Sequence, residues 1–150
     1  MPSPIKAMIQ SPPYDPANIF AKILAGEIPS QTIFEDEHTK VIMDVMPQAD
    51  GHALVIPKAP SRNLLDADPA SLGHIMAVAQ KIAIASLSAF DADGVTVQQF
   101  NEAAGGQSVF HLHVHVIPRH EGVTLRGHAG GMADPDLLAE HAERYRSVLG

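Results

Sequence analysis

Cysteine is absent from the 150 residues, which excludes a disulfide framework and a thiolate zinc site and removes any pointer to an oxidising compartment. Positive charge is scarce. Only 10 Lys and Arg stand against 17 Asp and Glu, a formal net charge of -7, which argues against general affinity for polymeric nucleic acid or an anionic membrane. Any phosphate site must then be a local cluster. No apolar run reads as long enough to span a bilayer, and no basic segment followed by an apolar one opens the chain, so a cytoplasmic protein is expected. What is present is 45% hydrophobic residues, enough for one domain with a core in a chain too short for two.

Residues 1–16 hold Pro2, Pro4, Pro12, Pro13 and Pro16 and read as an extended or disordered leader, with the domain itself over 17–150. Asn18 to Ala25 has Ile19, Phe20, Ile23 and Leu24 at helical spacing, with Asn18 to cap it and Gly26 to end it. Gln31–Glu35, Lys40–Val45 and Ala53–Lys58 read as strands of an antiparallel meander. In Ala70–Phe90, Leu72, Ile75, Met76, Ala79, Ile82, Ala83 and Leu87 recur at three- and four-residue spacing, which predicts the longest helix, started by Asp68 or Pro69 and lying over the core. A strand over Val95–Phe100 leads by a loop, of a length that suits a hairpin, into the histidine strand. Asp134-Pro135 opens a C-terminal helical extension running to Val148.

The strongest pattern is His111-Leu112-His113-Val114-His115-Val116-Ile117. On a β-strand these three imidazoles share one face, and Leu112, Val114 and Val116 form the buried stripe. Three uses of such a face compete. A metal site is one, since histidine is the commonest ligand. Neighbouring rings start about 6.6 Å apart and the outer two about 13 Å apart at roughly 3.3 Å per residue, too far for all three to reach one zinc ion without severe bending. A solvated polar face is the second. The third is nucleophilic catalysis, in which the central His113 attacks and its neighbours hold a phosphoryl group or protonate a leaving atom, because neutral imidazole is available near neutral pH. Gly105 and Gly106 permit a tight path that turns amides toward an anion, and Gln107 and Ser108 bring side-chain donors beside the first histidine. Asn101 is either a turn residue or a further amide donor.

The run Gly106-Gln107-Ser108-Val109-Phe110-His111-Leu112-His113-Val114-His115-Val116-Ile117 resembles the signature of the histidine-triad (HIT) superfamily. The likeness extends over roughly residues 18 to 119 through Ile19–Ile23 with Gly26–Pro29, Gly51–Lys58, and Asn101-Glu102. Asn101 and Ser108 resemble the Hint nucleoside phosphoramidases, while Pro118-Arg119 resembles Fhit and many bacterial members.

The resemblance implies an α+β HIT-like fold, an antiparallel sheet with one long helix packed on it and a short N-terminal helix, assembled as a homodimer. It implies a nucleotide hydrolase or nucleoside phosphoramidase in which His113 attacks the α-phosphorus of a purine nucleotide conjugate and water releases the monophosphate, with no cofactor and no obligatory metal. Ser108, His111, His115 and His52 would join it in catalysis. Asn101, Gln107, Ser108, His113 and His115 would hold phosphate. Ile19, Phe20, Ile23 and Val45 would form a slot for the base, with Asp44 accepting from the ribose. Two alternatives remain: a Fhit-like dinucleoside polyphosphate hydrolase, and a slow nucleotide-binding regulatory or interaction protein. The remaining histidines, His38, His120, His128 and His141, read as surface residues, and His74 as structural or exposed. No partner beyond the nucleotide and a second copy is implied.

Overall fold

The computed structural model describes residues 12–127 and 131–150; the start of the expected leader and His128 lie outside the described residues. Five strands form one antiparallel sheet in the order β1-β2-β3-β5-β4: β1 Thr32–Glu35, β2 Thr39–Met43, β3 Ala53–Pro57, β4 Gly94–Gln98 and β5 Val114–Arg119. The α-helices are α1 Ile19–Leu24, α2 Leu72–Ala89 and α3 Pro135–Leu149. The connection from β3 through α2 places β4 at the edge, so that β5 returns between β4 and β3. The expected meander is β1 to β3.

Local chemistry sets the helix ends. The Asn18 side chain accepts from Ala21 N–H, Asp68 accepts from Ala70 N–H ahead of a short 3-10 turn at Pro69–Ser71, and Asp134 accepts from Asp136 N–H with Pro135 next. Each supplies an acceptor to amides that have no intrahelical partner.

Both faces of the central strands are covered. Val41, Met43, Ala53, Val55, Val114 and Val116 meet Ile75, Val78, Ala79 and Ile82 of α2 and Leu138, Ala142 and Tyr145 of α3 in the main core. Alternate residues Ile42, Leu54 and Ile56 pack with Phe20 and Ile23 of α1 on the opposite face. Period-two alternation thus yields two apolar layers, which is why every residue of β3 is buried. Burying each such aliphatic side chain contributes about 1.5–3 kcal/mol.

Three expectations are corrected. Met76 and Leu87 share the helical spacing of the core residues but stand 52% and 41% exposed, because the sheet covers only one side of α2. The 21-residue segment Pro69–Ala89 holds an 18-residue window of mean hydropathy 1.3 and is long and apolar enough to cross a membrane by length and composition, contrary to the reading of the sequence; here its Ile75, Val78, Ala79 and Ile82 are packed into the core. His141 is buried, edge-on to the Phe90 ring at 5.2 Å, since it lies on the inner face of α3.

Candidate active site

His111 and His113 lie in the chain just before β5, and only His115 is in the strand proper, opposite Leu54 of β3 and Gln98 of β4. The loop before them is fixed by a polar network. Arg62 makes two hydrogen bonds to the Glu102 carboxylate at 2.8 and 2.9 Å, Asn63 donates to Glu102 at 2.6 Å, and Glu102 N–H donates to Gln107 Oε1 at 2.8 Å. Glu102 itself has φ 64 and ψ 164, a region that glycine alone enters easily, so this network holds a strained backbone beside the histidines.

Hydrogen bonds assign a proton to each imidazole of the cluster. A ring nitrogen facing a carbonyl must donate, and one facing an N–H must accept. His111 Nε2 donates to Pro57 O at 2.7 Å, so its Nδ1 accepts from the Tyr14 hydroxyl at 2.7 Å. His113 Nδ1 donates to His111 O at 2.6 Å, which leaves the lone pair on Nε2. Gln48 N–H donates to His52 Nδ1 at 3.0 Å; His52 therefore carries its proton on Nε2 and gives it to His115 Nδ1 at 2.9 Å. His115 then holds its own proton on Nε2. One imidazole offers a lone pair and its neighbour, with ring centroids 4.9 Å apart, offers a proton.

A cavity of about 170 Å³ opens beside the pair, lined by Gln48, Gln98, Phe100, Gly106, Gln107, Ser108, His113 and His115. A larger one of about 640 Å³, between His38, Lys58, Ser61 and His74, lacks both rings, so the smaller cavity is the candidate site. Of the expected residues, the structure brings Ser108, Gln107, His113 and His115 to it. His111 is not in the lining; it is buried, burial keeps its pKa below the ordinary value, and its carbonyl orients His113. His52 is fully buried behind His115.

The side chains of two expected phosphate donors make hydrogen bonds within the protein. Gln107 Nε2 donates to Arg62 O and Val109 O at 2.8 and 3.0 Å, using both amide hydrogens. Asn101 accepts from Leu64 N–H and donates to Gln99 Oε1, each at 2.9 Å, and it stands outside the lining. Among the expected base contacts, Phe20 is buried with its ring edge against His113 at 4.8 Å, and Ile23 is core. Ile19 and Val45 are 48% and 44% exposed, available to a flat ligand. Asp44 accepts from Met46 N–H at 2.8 Å, with its other oxygen 3.4 Å from His52 Nε2. Sequence reasoning missed Tyr14, Gln48, Gln98 and Phe100; Gln98 and Phe100 left a trace, through their place on the expected strand that leads to the triad.

Asp44, His52 and His115 also bring one ligand atom each within 4.8 Å of one another, a spacing that suits a metal ion. Their hydrogen bonds do not fit one. A ligating imidazole offers a lone pair, whereas His52 presents a protonated Nε2 to the others because the Gln48 amide occupies Nδ1.

The HIT domain pattern matches residues 25–122. A Hit-like protein from Bartonella henselae, described as involved in cell-cycle regulation and crystallised with an unknown ligand, is 51% identical with a TM-score of 0.85, over 91% of this chain and 99% of that one. Protein hit of Bacillus subtilis is 36% identical over 79% of this chain and 86% of its own. The adenylylsulfatase HINT3 of Arabidopsis thaliana is 35% identical over 69% of this chain and 52% of its own.

Proposed function

This chain belongs to the HIT domain family, and we propose that it is a nucleotide hydrolase that cleaves nucleoside phosphoramidates or related purine nucleotide conjugates through a nucleotidyl-His113 intermediate. The observation that carries this reading is the 2.6 Å bond from His113 Nδ1 to His111 O, because it directs the lone pair to Nε2, the nitrogen a nucleophile needs. His113 Nε2 attacks the α-phosphorus and a P–N bond forms as the bond to the leaving amine breaks. His115 gives its Nε2 proton to that amine. Water then attacks the phosphorus and yields its proton to the vacated His115 Nε2, the P–N bond to His113 breaks, and the monophosphate departs with both rings restored.

The cavity size supports the division of the ligand. About 170 Å³ is less than the ~300 Å³ or more of a small-molecule pocket, so it suits the phosphoryl group, with Ser108 as a side-chain donor. The nucleoside would lie outside it across Ile19 and Val45, with Asp44 toward the ribose. A homodimer is part of the proposal, supported by the exposed Met76 and Leu87 on α2; sedimentation as monomer alone would remove it. The relative named for cleaving adenylylsulfate makes other leaving groups on the same phosphorus a natural extension.

The test is acid-quench trapping with adenosine 5′-phosphoramidate. Wild type should yield a covalent nucleotidyl-enzyme and release AMP, and His113→Ala should yield neither. Binding without adduct or turnover, also with a guanosine phosphoramidate and a diadenosine polyphosphate, would leave a nucleotide-binding protein.

A further inference from the structure

The loop between β2 and β3 supplies the Gln48 amide on which the protonation of His52 and His115 depends. It is gripped from outside by the chain that follows β5. Arg126 donates its backbone N–H to Gln48 O at 2.7 Å and its Nε to Pro47 O at 3.4 Å, and its guanidinium reaches Asp50 at 3.2 Å. Ala133 N–H donates to Val45 O at 2.9 Å. From α3, the Tyr145 hydroxyl donates to Gly51 O at 2.5 Å. Burial pushes the Tyr145 phenol well above its ordinary pKa, so the hydroxyl stays protonated and remains a donor.

The geometry is specific about what this grip controls. Pro47 C=O and Gln48 N–H are opposite ends of one planar peptide unit. Arg126 holds the carbonyl end and His52 Nδ1 receives the amide end. Rotating that plane would present a carbonyl to His52 Nδ1, which would then have to donate; the proton would leave Nε2, and His115 would lose the donor that sets its own tautomer. Arg126 and the 2.7 Å bond to the next carbonyl oppose such a rotation, and Tyr145 fixes the far end of the loop. All of these bonds but the one to Asp50 accept at a main-chain carbonyl, so most of the grip acts on the path of the loop independently of its side chains.

We propose that Arg126 and Tyr145 are positioning residues of a clamp, built from the segment after β5 and α3, that keeps the Pro47–Gln48 peptide turned so that His52 remains an Nε2–H donor to His115. The inference rests on the proposed function, in which His115 protonates the leaving amine. It assigns the C-terminal helix a role in the chemistry as well as in the core.

The test uses the full chain as Arg126→Ala, Tyr145→Phe and the double variant, with Arg126→Lys as the conservative control. Imidazole 15N signals report the tautomers of His52 and His115, alongside kcat and KM for adenosine 5′-phosphoramidate. In the double variant the His52 signals should move from one Nε2–H tautomer to a mixture, and kcat should fall roughly tenfold with KM little changed, the scale of lost outer-shell support. Arg126→Lys should recover part of both. Arg126 is half exposed, so Arg126→Ala alone decides the question if the change at Tyr145 unfolds the chain. Unchanged tautomer signals in folded variants overturn the clamp. Signals that shift in an enzyme whose wild type shows no turnover uphold the clamp and reject the hydrolase reading instead.

Discussion

His52 Nε2 lies 2.9 Å from His115 Nδ1, and the proton between them belongs to His52 because a main-chain amide faces its other nitrogen. The pair is an orienting contact: it keeps the proton of His115 on the nitrogen away from His52. His52→Ala should therefore lower kcat by roughly 10- to 100-fold. His52→Gln, whose amide can still donate to Nδ1, should recover part of the loss. The defect should shrink for a substrate whose leaving group needs no proton, and single-turnover rates with an amine and an acidic leaving group would check this. Equal losses on both substrates would count against the assignment.

Gly51 has φ +86, and a Cβ there would come within 2.6 Å of the Phe90 ring, which is itself buried and packed against Tyr145. Both the backbone conformation and the overlap oppose any side chain. Gly51→Ala should cost roughly 3 kcal/mol, read as a lowered urea midpoint without a change in slope. Gly73, on α2 with nothing within 4 Å of its Cβ position, is the control, and Gly73→Ala should be neutral or stabilising.

His111 and His141 both have pKa values lowered in the fold, foremost by burial. The unfolded chain takes up protons near the ordinary value of about 6.5 while the folded chain does not. Stability from these two groups is therefore whole above that pH and declines as the pH falls from there toward the lowered folded values. Urea midpoints at pH 8, 6.5 and 5 should drop on acidification, and His141→Gln should make the drop shallower. A steeper drop in the variant would contradict the assignment for His141.

The strands and helices were legible because periodicity and end-capping residues are local. Asn18, Asp68 and Asp134 mark their helix starts in sequence as they do in space. The face of α2 was less legible, since Met76 and Ile75 are equally apolar and only the position of the sheet decides which is covered. In the site, the imidazoles themselves were plain from their spacing. Their proton assignments were not, because these come from groups distant in the chain: Tyr14 reaches His111 across 97 positions and Pro57 O across 54. Gln107 and Asn101 show the same limit. Their amides have the right chemistry for phosphate, and nothing local reveals that Arg62, Leu64 and Gln99 already engage them.

The group that faces His52 Nδ1 is the main-chain N–H of Gln48, and this makes position 48 a site whose contribution to the tautomer is invisible to comparisons of residue type. Nineteen of the twenty amino acids carry the same N–H, so a substitution scan read for this effect alone would find broad tolerance and one sharp exception, proline. The instruction is inherited through the course of the backbone, and it can be erased only by a residue that has no hydrogen to give.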